Sequence, residues 1–322
     1  MYIYTINYIN QGRDGCTSPL PTTDTRAHML WDDGYIAVDW GTTNRRAYRI
    51  GTDRAVVDGF EDTRGLKSIA AGGFDAAAAD IRARLGDLPM LLSGMVGSKT
   101  GWRETAYVDC PAGPDAIAAN ILWLEPGRTG IMPGVCQRSA SRPDVMRGEE
   151  VQILGALAAK MIPPDALVCH PGTHSKWIHV AAGQIAQFQT MMTGELFDLI
   201  KSHSILAGLM TGDVQAGPAF WAGVNDALGG QSILTGLFGI RARALLAGDD
   251  GDSASRASGL LIGADIMAGA RKHGGQPLFL IGRPDLSALY DVAAGLAGYK
   301  AVQIDATAAF LAGVYAIKEA TA

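Results

Sequence analysis

The stretch DWGTTNRRAYRI (39–50) breaks an apolar strand signal at 35–38 with a short polar loop, then resumes an alternating pattern at 46–50. Such alternation predicts strands, and so short a loop predicts an antiparallel hairpin. The pattern returns about 130 residues later, one domain length on. There 166–169 is apolar, HPGTHSK is a polar loop, and 177–180 reads as strand. Gly41-Thr42-Thr43-Asn44-Arg45 matches Gly172-Thr173-His174-Ser175-Lys176 in type: glycine, threonine, any residue, a small polar residue, a cation. Two short matches alone can arise by chance. Matching strands on both sides make internal duplication the better reading.

The other patterns fit an α/β class. AAGGFDAAAADIRARLG predicts a helix with Phe74, Ile81 and Leu85 on one face. Residues 89–92 read as a buried strand that runs into the glycine-rich SGMVGSKTGW. From Gly148 a helix follows, with Val151, Leu154, Leu157 and Met161 in register, stopped by Pro163-Pro164, the best domain boundary. The second half predicts helices in TGELFDLIKSHSIL and through LLIGADIMAGARKHG. A strand at 277–281, a helix from about Asp285, a strand at 302–304 and a final helix capped by Asp305 complete it.

Composition bounds the function. The 322 residues are 48% hydrophobic and 18% charged, enough for two domains with real cores. A net charge of −5 without a long basic run gives nucleic acid no electrostatic footing. No run of 18 apolar residues predicts a membrane helix. Cys16, Cys110, Cys136 and Cys169 are scattered without a CxxC pair, which argues against structural zinc or a disulfide framework and fits a reducing cytoplasm. Residues 1–33 lack the features of a secretory signal. They read as a disordered extension, or as a start placed too early with Met29 the later one, with a docked functional arm the alternative. Homo-oligomerisation is left open.

A hairpin loop of glycine, threonine and asparagine offers backbone N–H groups at close range, a means of holding phosphate. An ordinary turn has the same composition; the repeated loop favours phosphate. Asp39, at the end of its strand, is positioned to hold Mg²⁺. Gly41, Thr42, Thr43 and Asn44 would line one loop, and Gly172, Thr173 and His174 the other. Arg45, Arg46 and Lys176 would offset charge. His174 has no second ligand at metal spacing. Neither GxxxxGK[ST] nor a strand-borne GxGxxG occurs.

The paired loops resemble the phosphate motifs of the actin, sugar-kinase and heat-shock chaperone superfamily. More narrowly, DWGTTNRRAY, GMVGSKTGWRE, MPGVCQ, PDVMRGEEVQILGAL, PGTHSKWIHV, MTGELFDLIKSHSIL, SGLLIGADI and LIGRPDL make the chain from about Tyr35 onward resemble the 2-dehydro-3-deoxygalactonokinase family. Arg45 and His170 depart from it, each standing where an apolar residue is expected. The resemblance implies two RNase H-like (actin-like ATPase) domains, 34–162 and 163–305, closing over a central cleft, with a C-terminal helix, 306–322, crossing back to the first. It also implies ATP-dependent phosphorylation of the 6-hydroxyl of 2-dehydro-3-deoxygalactonate in galactonate breakdown, with ATP and Mg²⁺.

In the superfamily the RGEE–helix context lies beside the cleft, so the catalytic acid is sought among Glu149, Glu150 and Asp144. Adjacent helix residues point about 100° apart, so one of the two glutamates faces the phosphate; Glu149 is preferred. The alternative role for both is to complement the helix dipole. The substrate's carboxylate calls for backbone N–H groups or an arginine fork, which Gly97, Ser98, Lys99, Trp102 and Arg103 supply, with Arg147 a further partner. By resemblance Gly282 and Arg283 hold adenosine, and Thr193, Gly194 and Glu195 border the phosphates. Trp31, Trp123 and Trp221 are read as packing. The competing functions are a kinase for another sugar or keto acid, a polyphosphate or nucleotide phosphohydrolase, and a non-catalytic ATP-binding regulator or filament protein. No separate peptide-binding domain fits, which argues against a chaperone.

Overall fold

The computed structural model describes residues 31, 33–248, 251–270 and 277–321. The expected extension at 1–33 lies outside them except for Trp31 and Asp33. Strand β1 (Tyr35–Trp40) pairs antiparallel with β2 (Arg45–Ile50), with Trp40 opposite Arg45, so the opening stretch is a hairpin. β3 (Val56–Asp62), which the sequence did not suggest, extends it. β4 (Met90–Gly94) joins β1 in parallel. With β7 (Thr129–Ile131) and β6 (Leu122–Glu125), the sheet runs β3-β2-β1-β4-β7-β6.

The second sheet runs β12-β11-β10-β13-β14. Its strands are β10 (Ala166–His170), β11 (Ser175–Ala181), β12 (Gln184–Met191), β13 (Leu278–Ile281) and β14 (Ala301–Ile304). Here too a hairpin leads, a third strand is antiparallel, and the next two are parallel. A small third sheet, β5-β8-β9, comprises Tyr107–Asp109, Gly134–Gln137 and Asp144–Met146 and was not foreseen.

Both faces of the sheets are covered, so their central strands are apolar throughout. Ile36, Val38 and Trp40 pack under helix α1 (Phe74–Leu85), through Phe74, Ile81 and Leu85. A short helix, α2 (Pro114–Ala118), precedes β6. Tyr35 and Ala37 face a core that also takes in Val168, Ile178 and Phe279 of the second sheet. Two helices occupy this shared layer: α3 (Glu149–Ala158) and the last helix, α9 (Ala306–Glu319), whose N-cap Asp305 accepts from Ala308 N. The outer face of the second sheet packs against α5 (Pro218–Leu228), α7 (Ser253–Gly269) and α8 (Pro284–Leu296), while α4 (Thr193–His203) and α6 (Ile233–Ala247) pack on α7. One expectation needs correcting. α3 ends at Ala158, before Met161 and Pro163; Lys160 takes a positive φ of 55° and Met161 N turns back to Ala156 O. The reversal, not proline, stops the helix.

α3 and α9 cross at a pair of glycines. A Cβ on Gly313 would lie 1.9 Å from Val151 O, and one on Gly155 1.8 Å from Ala309 O. Backbone cannot yield to such contacts unless the helices part. Gly313→Ala is expected to destabilise the fold by about 3 kcal/mol, as overpacking does. Gly295→Ala, with nothing within 4 Å of the added carbon, is expected to be neutral or to stabilise by about 0.5 kcal/mol. Urea unfolding measures both, and equal stabilities would contradict the crossing.

Candidate active site

The first loop is braced from behind. Leu66 N donates to Gly41 O, Lys67 N to Thr42 O (3.1 Å) and Gly65 N to Thr43 O, while Trp40 Nε1 donates to Arg64 O. With its carbonyls turned inward, the loop has Thr42 and Thr43 N–H groups that donate to no backbone carbonyl among the described residues. That is the arrangement an anion nest requires. The second loop is braced in the same manner: Glu195 N donates to Thr173 O at 2.9 Å. Gly194 lies so close that a Cβ there would be 2.6 Å from Gly172 O. His174 Nε2 contacts the Glu195 carboxylate.

Asp39 continues the inward face of β1, and its carboxylate pairs with Arg46 at 3.3 Å. Burial raises its pKa; Arg46 opposes this, and the Glu149 charge adds to it. Its register partner Ser93 carries a buried hydroxyl with no partner among the described residues. The ends of β1 and β4 and the start of α3 meet at glycines. Gly148, at φ +108°, turns the chain into α3, and a Cβ on it would lie 3.3 Å from Gly94 Cα.

That turn presents two glutamates with different fates. Glu149 Oε2 accepts Arg147 N at 3.1 Å, and its Oε1 pairs with Lys176 Nζ at 3.2 Å. Burial alone would raise its pKa, but Lys176 above all holds it below the ordinary glutamate value. Glu150 is fully buried and folds back to accept Gly148 N. Burial, then the Glu149 charge, push its carboxyl up to about 8. Lys176 also donates to His174 O at 3.1 Å, so it ties the second loop to α3. His170, at the inward end of β10, bonds Gln152 of α3 at 2.8 Å.

Several expected site residues are engaged elsewhere. Asp144 accepts Thr190 N (2.6 Å) and Thr190 Oγ1 (2.7 Å), fastening β9 to β12. Trp102 stacks on Phe74, ring centroids 6.4 Å apart, on the α1 face of the sheet, opposite the face that carries Asp39. Arg147 is bound to Thr105, by Nη2 to its carbonyl at 3.0 Å and by Nη1 to its hydroxyl, and lies over the Tyr107 ring. Gly97 is packed beneath it: a Cβ there would meet Arg147 Nη1 at 2.8 Å. Arg45 is fully buried between Trp40 and Phe60 and pairs with Asp62 and Asp80, so an aromatic cage and two carboxylates replace the apolar residue expected there. Ser98 is half-buried beyond the end of β4, and Lys99 is exposed.

A cavity of about 440 Å³ opens beside the second loop, lined among others by Gly172, Thr173, Thr193, Gly194, Arg283 and Leu289. Gly282 packs against Pro171, the residue before the loop. Arg283 is held by Asp285, with Nε to Oδ1 at 3.1 Å. The sequence reading missed Phe197 and Asp213, which also line this cavity. Phe197 lies in the stretch MTGELFDLIKSHSIL, where the apolar helix pattern masked it, and Asp213 lies outside the quoted stretches.

A family model described as 2-keto-3-deoxy-galactonokinase matches residues 39–317. The chain is 38% identical over 299 residues to a protein of Rhizobium meliloti (strain 1021) provisionally assigned as 2-dehydro-3-deoxygalactonokinase DgoK1, covering 89% of this chain and 97% of that one. It is 32% identical over 295 residues to 2-dehydro-3-deoxygalactonokinase of Escherichia coli (strain K12), covering 89% and 98%. A crystal structure from Sinorhizobium meliloti, provisionally assigned the same activity, shares the fold with a TM-score of 0.84 at 36% identity, covering 89% and 98%. The chain belongs to the 2-keto-3-deoxy-galactonokinase family.

Proposed function

We propose that the protein transfers the γ-phosphoryl group of ATP to the 6-hydroxyl of 2-dehydro-3-deoxy-D-galactonate. Family membership supports the kinase activity and its acid substrate. The observation that carries the mechanism is the Glu149–Lys176 pair, which joins the start of α3 to the second Gly-Thr loop. We also infer that the two sheets arose by duplication and flank a central cleft. Their common strand order supports this, as does the matching brace of Lys67 N on Thr42 O and Glu195 N on Thr173 O.

Phosphoryl transfer needs positioning, charge neutralisation and a group that orients the attacking hydroxyl. Thr42 and Thr43 N–H groups would hold phosphate oxygens from one side, and Gly172 and Thr173 from the other. The cavity beside Arg283 and Leu289 would take the nucleoside. Asp39 fits a divalent cation, because its half-buried carboxylate, which Arg46 now pairs, stands near the Glu149 charge and beside the Ser93 hydroxyl, which has no partner among the described residues. Among the described residues no cluster of three metal-ligating side chains occurs, so Asp39 and phosphate oxygens would hold Mg²⁺. Bound there, it would neutralise charge on the transferring group.

Glu149 is the base. Kept ionised by Lys176, its carboxylate has lone pairs left to accept the hydroxyl proton as the new O–P bond forms and the bond to ADP breaks. Glu150, protonated at neutral pH, cannot accept that proton. Ser98 and backbone near Gly97 would receive the substrate carboxylate, with Arg147 fixing the loop through Thr105.

A coupled ADP-release assay over a panel of 2-keto-3-deoxy acids tests the function. Release that depends on 2-dehydro-3-deoxygalactonate is expected; equal release with no acid would indicate a hydrolase, and preference for another acid a different kinase. Glu149→Gln is expected to cut kcat by about 100-fold or more while ATP affinity is kept. Wild-type turnover in that variant would remove Glu149 from the mechanism. Glu150 has a folded pKa raised above its ordinary value of 4.5 to about 8. Its contribution to stability is therefore present below pH 4.5 and is lost as pH rises through 8. Thermal unfolding of Glu150→Gln should accordingly gain on wild type between about pH 5 and pH 9; a constant difference would contradict the burial argument.

A further inference from the structure

We propose that Asp265, on α7, is a positioning residue that holds the second phosphate loop and the start of α4 in register for ATP; this rests on the kinase reading above. Asp265 is 3% exposed and touches no part of the proposed reacting centre. Its Oδ2 accepts Ser175 Oγ at 2.6 Å, Thr193 Oγ1 at 2.6 Å and the Tyr290 hydroxyl. Its Oδ1 accepts Trp177 Nε1 at 2.6 Å. All four donors are neutral. A carboxylate offers about four lone-pair sites across its two oxygens; the three hydroxyls converge on Oδ2 while Trp177 takes Oδ1.

The donors frame the nucleotide side of the site. Ser175 is the first residue after the second loop and Trp177 the third along β11. Thr193 begins α4, whose Glu195 N braces Thr173 O and whose Gly194 lies against Gly172 O. Tyr290 stands on α8, and both it and Thr193 line the cavity beside the loop. Between Ser175 and Trp177 comes Lys176, the partner of Glu149. Asp265 thus joins loop, helix start and cavity wall at one buried point. Trp177 Nε1 can only donate, so α7 must present an acceptor to it. The three hydroxyls can turn to donate or accept.

That difference makes Asp265→Asn an informative variant. The amide oxygen can serve Trp177 and its NH₂ the hydroxyls, so the shape is retained while the charge-assisted bonds are lost. The expected result is a KM for ATP raised about tenfold with kcat changed less than about threefold, and an unchanged KM for the sugar acid. Calorimetric titration with MgATP should show the same loss. Thr193→Val should raise the KM for ATP as well, and combining it with Asp265→Asn should add little, because both break one network. A structural role alone would lower the melting temperature and leave the KM for ATP at its wild-type value. That result, or additive effects of the two substitutions, or equal rises in both KM values, would overturn the proposal. If Asp265→Asn fails to fold, Thr193→Val decides: a wild-type KM for ATP in it overturns the proposal. Wild-type enzyme assayed alongside separates the two readings, since absence of acid-dependent ADP release there would fault the kinase function rather than Asp265.

Discussion

The site depends on one ion pair, Lys176 Nζ to Glu149 Oε1 at 3.2 Å. Lys176 leaves the second loop on β11, and Glu149 opens a helix that packs under the first sheet. The lysine side chain is 6% exposed and the glutamate 20%. A pair this buried persists because each ion has further partners, His174 O for the lysine and Arg147 N for the glutamate. Loss of either ion would strand the other, which typically costs about 3–5 kcal/mol. The pair therefore lowers the pKa of Glu149, the proposed base, and ties the start of α3 to the strand that leaves the second loop. The His170–Gln152 bond repeats the tie one strand position away.

Close backbone approach is the second constraint. Gly94 and Gly148 let two strand ends and a helix start meet beside Asp39, while Gly65 and Gly194 let bracing segments lie against the two loops. The bracing is what turns loop carbonyls inward and N–H groups out. The two halves are alike in backbone and unlike in chemistry. Asp39 faces inward from β1, whereas His170 ends β10 with its ring bonded to Gln152. Burial lowers that histidine's pKa and favours the neutral ring, so this position carries no carboxylate like that of Asp39.

Much of this was legible in the sequence because strand period and loop composition are local properties. The hairpins, α1, the Asp305 cap and the second sheet's strands follow from periodicity and turn chemistry alone. Arg45 was legible only as an oddity, since its partners Asp62 and Asp80 lie in other elements. Trp102, Asp144 and Arg147 were of the right types for binding or catalysis, yet those same types serve packing and fastening. Only the sheet face, the Thr190 bonds and the Thr105 bonds distinguish the roles. Asp265 was out of reach for the same reason: Ser175 and Thr193 lie 90 and 72 residues away in sequence. The split between Glu149 and Glu150 depends on Lys176, which no spacing rule joins to α3.

The most direct test of this account is a kinetic double-mutant cycle on kcat using Glu149→Gln, Lys176→Met and the pair. If the ion pair makes base and loop one unit, each single change removes most of the turnover and the double change loses little more than the worse single one. Losses that multiply, as for two independent residues, would contradict it.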